Sequence, residues 1–166
     1  MNIFFLDIDP VICAKYHCDK HVVKMILELA QILCTAHHVL GSINEDFIIP
    51  YKKTHENHPS CKWVREGLYN YIWTVLLGLE LCKEYTFRYG KIHKTQEHLQ
   101  NLRLNYPDYP KELYISTKPL LAITNKKLHK DNAIKSYRLY YIKEKIHIHS
   151  WKNRSVPKWL NEDYDN

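Results

Sequence analysis

A narrow polar stripe runs along the first long helical segment of the sequence. Between residues 17 and 36, six polar side chains fall within about 80° of one helix face; they are His17, His21, Lys24, Glu28, Gln31 and Thr35. Nearly all the other residues there are apolar, so we expect protein to surround the helix and the stripe to face a polar cavity or slot. Partial burial shifts pKa values toward the range useful for nucleophilic and acid–base chemistry. The stripe is therefore a candidate site, although structural ion pairs would have the same composition.

A second candidate region begins at His58-Pro59, where the next helix is expected to start. Proline suits the first turn of a helix, and the free N–H groups there can hold a phosphate. Lys62 and Arg65 would lie on one face near His58, so all three are candidate DNA contacts. The alternative is that Trp63 packs in the core and the charges only reach water.

The C-terminal third, residues 126–159, is basic and rich in aromatic residues. Residues 126–158 carry ten Lys and Arg against two acidic residues. Cations neutralise phosphates and aromatic rings stack on bases, so this mixture suits nucleic acid. The candidate DNA contacts are Tyr137, Tyr141, Lys143, Lys145 and Trp151. The alternative is a solvated basic helix whose aromatic residues belong to the core.

Local signals place these residues on helices. Asp9-Pro10 predicts a helix start, and the pattern then extends from about 10 to 40, with Cys18 as a point of interruption and Gly41 as the stop. Further helices are predicted over about 59–89, 91–104 and 130–148, and residues 105–124 form a proline-containing loop. The sequence therefore predicts an all-α single domain, residues 1–166, with three to four main helices and long connecting loops.

Composition indicates a globular intracellular protein. The chain has 166 residues, of which 45% are apolar and 25% charged, and a net charge of +6. Its five cysteines are an odd number at irregular spacings, which predicts free thiols in a reducing compartment, either the cytoplasm or a host-cell interior. Residues 1–10 lack the basic region of a signal peptide, and no apolar run of about 18 residues is present. We expect no membrane association, and a monomer.

A metal site is the main competing interpretation of the histidines and cysteines. His55, His58 and Cys61 are spaced three apart, Cys34 and His37 are separated by two residues, and His17 and His21 could add ligands. Zinc takes Cys and His in sets of four, but none of these spacings matches a finger, a ribbon or an HExxH helix. We therefore expect no metal or other cofactor, with a metal-dependent hydrolase as an alternative.

The stretch Asp19-x-His21-x6-Glu28, followed by Gln31-Ile32-Leu33, resembles the first helix of the pyrimidine dimer DNA glycosylases of the phage endonuclease V type. Residues 57–63 and 71–89 are similar to the central helix of their bacterial relatives, and residues 137–159 more loosely resemble their basic C-terminal part. Residues 18–28 also resemble uncharacterised proteins of large DNA viruses and phages. The resemblance implies a helical DNA-repair enzyme acting on duplex DNA.

In that family the first helix carries an essential glutamate, and the N-terminal amine is the nucleophile. The resemblance therefore implies a catalytic carboxylate at Glu28, with His21 and Lys24 lining the same pocket. An α-amine titrates near 8, against about 10.4 for lysine, so it is partly neutral at physiological pH. It can attack the sugar C1′, expel the base and form an imine, while the carboxylate stabilises the cationic transition state. The basic C-terminal third would support the bending of the duplex and the extrusion of a base.

The identity of the amine stays open at this point. The family exposes a small residue at position 2 after Met1 is removed, whereas here position 2 is Asn, before which aminopeptidases usually leave Met in place. The nucleophile is then the amine of Met1, the amine of Asn2 if Met1 is removed, or Lys24. We expect the apolar residues 3–6 to anchor the N-terminus against the core and hold its amine near Glu28.

The base on which the protein acts is also open. Leu27 and Gln31 replace two family arginines that contact the lesion. Gln31 is retained as a candidate DNA contact, and the substrate is any damaged or modified pyrimidine. The alternative from another class is a nucleic-acid-binding protein without catalysis.

Overall fold

The computed structural model describes residues 1–162, which form six α-helices and four short 3-10 turns, with no β-strand in that range. The helices are α1 (Pro10–Tyr16), α2 (Asp19–Leu40), α3 (Pro59–Arg65), α4 (Leu68–Tyr89), α5 (Gln96–Leu104) and α6 (Ala133–Glu144). The 3-10 turns are Lys111–Leu113, Lys126–Leu128, Ile146–Ile148 and Lys158–Asn161. The predicted all-α class is confirmed, but the helix count is six instead of three to four.

The helix ends that were predicted from capping residues, proline and glycine are confirmed. The Asp9 side chain accepts a hydrogen bond from the Val11 N–H at 2.8 Å, and Pro10 occupies the first turn of α1. The chain leaves the helix before α2 begins, as expected near Cys18. Gly41 and Gly90 follow α2 and α4 with φ angles of 84° and 66°, which glycine adopts without strain.

The predicted second helix is interrupted at Glu66 and Gly67, which separate α3 from α4. A Cβ at Gly67 would lie 2.3 Å from the carbonyl oxygen of Ile115, so only glycine lets the 114–117 loop pack against this corner. The same carbonyl accepts a hydrogen bond from the Tyr69 N–H at 3.2 Å, in the first turn of α4. The break between α3 and α4 is therefore associated with a tertiary contact to Ile115.

The remaining boundaries differ modestly from those predicted. Helix α5 begins at Gln96, because residues 91–95 form a turn, and α6 occupies only the centre of the predicted 130–148 helix. Residues 105–124 are irregular apart from one 3-10 turn, as expected. All five cysteines are free and buried.

Helix α2 lies at the centre of the fold, where it packs against α3, α4 and α5. By length and hydropathy alone it meets the criteria for a membrane-spanning helix, but 61% of its apolar window is buried inside the protein. Helix α2 is not surrounded by protein on all sides, contrary to the prediction from its apolar residues. Val23 and Leu27 are 42% and 39% exposed, so one edge of α2 reaches the surface beside the polar stripe.

An ion network joins the start of α2 and the segment around Arg154 to α4. The Arg88 side chain is fully buried and donates to Glu84 at 3.1 Å, to Asp19 at 2.9 Å and to the carbonyl of His17 at 2.9 Å. Arg154 donates to the other Glu84 oxygen at 2.6 Å. Burial raises the pKa of Asp19, but hydrogen bonds from Ser150, Lys152 and Arg88 outweigh it and leave that pKa below its usual value.

Replacing Arg88 by Met is expected to lower the free energy of unfolding by about 3–5 kcal/mol, because it removes the buried cation that the buried Glu84 and the half-buried Asp19 share. Urea denaturation would measure the change. The exposed Arg103 on α5, replaced in the same way, is the control and should change stability by less than about 0.5 kcal/mol. An equally small effect for Arg88 would contradict this view of the network.

Candidate active site at the N-terminus

The first six residues thread into the core and fix the position of the N-terminus. Residues 2–6 are all buried. The Tyr137 hydroxyl donates to the Asn2 side-chain oxygen at 2.8 Å, and the Asn2 amide donates to the carbonyl of Ala122 at 3.3 Å. Farther along, the Leu6 carbonyl accepts from the Arg138 guanidinium at 2.9 Å. The expected anchoring of this segment is confirmed.

The anchored segment places the α-amine of Met1 beside Glu28. The amine nitrogen lies 3.5 Å from Glu28 Oε2, and the Asn2 backbone N–H donates to the same oxygen at 3.2 Å. The side chains of Met1 and Glu28 are 5% and 13% exposed. On the other side, Lys24 Nζ lies 3.2 Å from Glu28 Oε1, but its side chain is 69% exposed. The Glu28 carboxylate thus lies between the buried amine of Met1 and the exposed amine of Lys24.

The start of α3 forms another wall of this site. His58 is half-buried, and its ring accepts a hydrogen bond from the Ser60 N–H at 3.2 Å. Burial, then the positive N-terminal amine and His55, lower the pKa of His58, against the opposing effect of Glu28. The Cys61 sulfur lies 3.7 Å from the Met1 sulfur, and burial raises the pKa of this thiol to about 11. Cys61 is therefore not a thiolate at neutral pH.

His21, expected to line the Glu28 pocket, belongs to the core instead. Its ring stacks on Phe4 with centroids 4.3 Å apart, and its Nδ1 is hydrogen-bonded to the Tyr141 hydroxyl. Burial, then His17, Lys145, Lys24 and His149, lower the pKa of His21 to about 3. A neutral, buried imidazole cannot supply a proton at physiological pH. Its role is to support Phe4, and through it the N-terminal segment.

Two other members of the predicted stripe, His17 and Thr35, are also buried and are hydrogen-bonded to backbone carbonyls. His17 precedes α2 and is 1% exposed, and burial lowers its pKa to about 4. Thr35 is fully buried, where its hydroxyl donates to the carbonyl of Gln31 at 2.9 Å. Gln31 is half-buried. Of the predicted stripe, Lys24 and Glu28 are the members that meet at the N-terminus.

Three aromatic residues predicted to contact DNA lie in the core. Tyr137 and Tyr141 have no exposed surface, and Trp151 is 8% exposed, with its indole N–H donating to the carbonyl of Tyr16 at 3.0 Å. None can stack on a base in this structure. The half-buried aromatic residue of α6 is Tyr140, which sequence reasoning missed, and the Lys145 ammonium lies 4.8 Å from the centroid of its ring. Lys143 is exposed on the same helix.

The two charged candidates on α3 have different environments. Lys62 is exposed and accessible to a phosphate. Arg65 is half-buried and donates to the carbonyl of Glu56 at 2.9 Å, so it braces the 55–58 loop behind His58. Lys62 is therefore the better candidate for a DNA contact.

No group of three or more His, Cys, Asp or Glu side chains suited to a metal ion occurs among residues 1–162. The histidines and cysteines on which the metal-dependent alternative rests are thus not assembled in that part of the chain.

Comparison with known proteins does not identify a family. No family model, curated protein or solved structure matches this chain. The function has to be argued from the geometry around Glu28. An amine beside a carboxylate, mostly withdrawn from water, can add to an electrophilic carbon while the carboxylate takes up its proton.

Proposed function

We propose that this chain is a DNA glycosylase with associated strand-cleaving lyase activity, acting on damaged or modified pyrimidines in duplex DNA. The observation that carries the proposal is the 3.5 Å approach of the Met1 amine to Glu28 Oε2. These are the two groups that the resemblance of residues 19–33 to the pyrimidine dimer glycosylases requires. The contacts of Asn2 with Ala122 and Tyr137 hold the N-terminus where the two groups meet.

In the first step, the α-amine in its neutral form, after passing a proton to water, attacks C1′ of the deoxyribose with its lone pair. The bond from C1′ to the base breaks, and the base leaves with the bonding electrons and takes up a proton. Glu28 stabilises the positive charge that develops on the sugar and accepts the proton lost by the attacking nitrogen. Opening of the sugar ring then gives an imine between the protein and C1′.

In the second step, the imine makes the protons on C2′ acidic. Loss of one of them, with Glu28 as the nearest base, expels the 3′ phosphate and breaks the strand. Water then hydrolyses the imine and frees the amine. The partly exposed side of Glu28, where Lys24 lies, is where water and the sugar would enter.

The geometry favours the α-amine over Lys24 as the nucleophile. The α-amine is on the buried side of Glu28, from which water is largely excluded, whereas the Lys24 side chain is 69% exposed. The nitrogens of Met1 and Asn2 both face Glu28 Oε2, so the carboxylate meets the terminal amine whether or not Met1 is removed.

Trapping with borohydride tests the proposal directly. Reduction of the imine during reaction with ultraviolet-irradiated duplex DNA should yield a covalent protein–DNA species. The mass of the mature N-terminus, measured on the same sample, identifies the residue that carries the amine. DNA binding without trapping on any damaged or modified duplex would favour the non-catalytic alternative.

The lysines at the C-terminal end of α6 predict a steep salt dependence of DNA affinity. If Lys143 and Lys145 each neutralise one phosphate, replacing both by Glu should weaken binding and reduce the slope of log affinity against log salt by about 1.8. Fluorescence anisotropy with a labelled duplex would measure both quantities. The exposed Lys91 and Lys94 provide a matched double reversal that lies outside α6. Equal effects of the two pairs would show that only net charge matters.

A further inference from the structure

A cavity of about 670 Å³ lies between the first residues of α6, the start of α4 and the 116–119 loop. Phe5 and Ile8 of the N-terminal segment also line it. Glu28 and Lys24 do not, so the cavity is separate from the candidate active site. Its volume is in the range that accommodates a small organic ligand.

Three aromatic rings form part of the cavity wall, and contacts with one another and with backbone carbonyls fix their positions. Phe5 stacks on Trp73 with centroids 4.7 Å apart and an interplanar angle of 21°, and Trp63 meets Trp73 at 80°. The indole N–H groups of Trp63 and Trp73 donate to the carbonyls of Thr117 at 3.1 Å and Ile8 at 2.7 Å. Phe5 and Trp63 are buried and hold Trp73 in place, and the half-buried Trp73 presents a rigid ring on which a planar ligand ring can stack.

The lining of the cavity carries an excess of positive charge. It includes Lys118, Lys135 and Arg138 against one carboxylate, that of Asp7. Arg138 and Asp7 pair with each other at 3.3 Å, which leaves the two lysines. Lys135 makes an exposed pair with Asp131, and such pairs are weak enough to be exchanged for a ligand.

We propose that this cavity binds a planar aromatic anion of about the size of a nucleoside monophosphate. The ring of the ligand lies against Trp73, and its anionic group lies between Lys118 and Lys135. Stacking on an aromatic side chain and a charge-assisted contact each contribute on the order of a tenfold gain in affinity or more. The proposal does not depend on the glycosylase function, because no group of that site lines this cavity.

Isothermal titration calorimetry with AMP as the probe tests the proposal. Adenosine has the aromatic ring without the negative charge, and inorganic phosphate has the charge without the ring. Naphthalene-2-carboxylate combines a different aromatic ring with a different anionic group. We expect saturable binding of AMP or of the naphthoate, with adenosine at least about tenfold weaker and no binding of phosphate at the same concentration. Glu28→Gln should leave the affinity unchanged.

Two variants locate the binding in the cavity. Lys118→Glu, on the exposed rim, should lower the affinity at least about tenfold without affecting folding, and Trp73→Leu should do the same by removing the stacking surface. Lys91→Glu is the charge-matched control outside the cavity. Adenosine binding as tightly as AMP, or Lys118→Glu binding as tightly as the unchanged protein, would overturn the proposal, as would the absence of binding by both anions.

Discussion

Replacing Glu28 by Gln is expected to lower the rate of base excision by about 10²- to 10⁴-fold, the usual contribution of a positioned acid–base group. The amide keeps the shape of the side chain and one oxygen to accept from the Asn2 N–H. It removes the charge that stabilises a cationic sugar and the base that accepts a proton. Single-turnover kinetics on ultraviolet-irradiated duplex DNA would measure the loss.

Stability distinguishes catalysis from a structural ion pair at this position. If Glu28 serves only to hold the N-terminus, Glu28→Gln leaves the Met1 amine unpaired, and the melting temperature should fall together with activity. A catalytic role predicts a large loss of rate with a small shift in melting temperature and in DNA affinity. Glu80 is the matched control, since it is 18% exposed and paired with a lysine three residues away on α4.

Blocking the α-amine is expected to abolish borohydride trapping. Acetylation of Met1 adds a small group and removes the nucleophilic lone pair, and extension of the chain by a few residues does the same by converting the amine to an amide. Residues 2–6 keep their contacts in the acetylated protein, so folding and DNA binding should be nearly unchanged. Mass spectrometry of the reduced protein–DNA species measures the outcome.

Lys24→Met is the control for that experiment. The variant removes the other amine beside Glu28, which lies 3.2 Å from Oε1, and should still be trapped. Trapping that survives acetylation but disappears in Lys24→Met would assign the nucleophile to Lys24 within the same reaction class.

Helix ends could be predicted where one or two neighbouring residues determine them. Asp9-Pro10 starts α1 and Gly41 stops α2 through bonds within a single turn. The break at Gly67 has a different origin, since it depends on the carbonyl of Ile115, a residue far away in the sequence. Helical periodicity continues across that break, so no local pattern reveals it.

The candidate site was predicted only in part for similar reasons. Glu28 and the terminal amine followed from the polar stripe and from a family resemblance. The proximity of His58 depends on the path of the irregular 42–58 connection, which no periodicity describes. The burial of Tyr137 and Tyr141 did have a signal, because a spacing of four places both on one face of α6, and the partner of that face is the core.

The ion network of Asp19, Glu84 and Arg88 constrains how such a protein can diverge. Loss of Arg88 removes the cation that Asp19 and Glu84 share, and loss of either carboxylate leaves the buried guanidinium with one counterion instead of two, so single substitutions at these positions are disfavoured. Acceptable change therefore requires concerted replacement, and homologous chains should retain the three residues together or lack all of them. Covariation among these positions would consequently mark distant relatives even where the residues around Glu28 have diverged to suit another base.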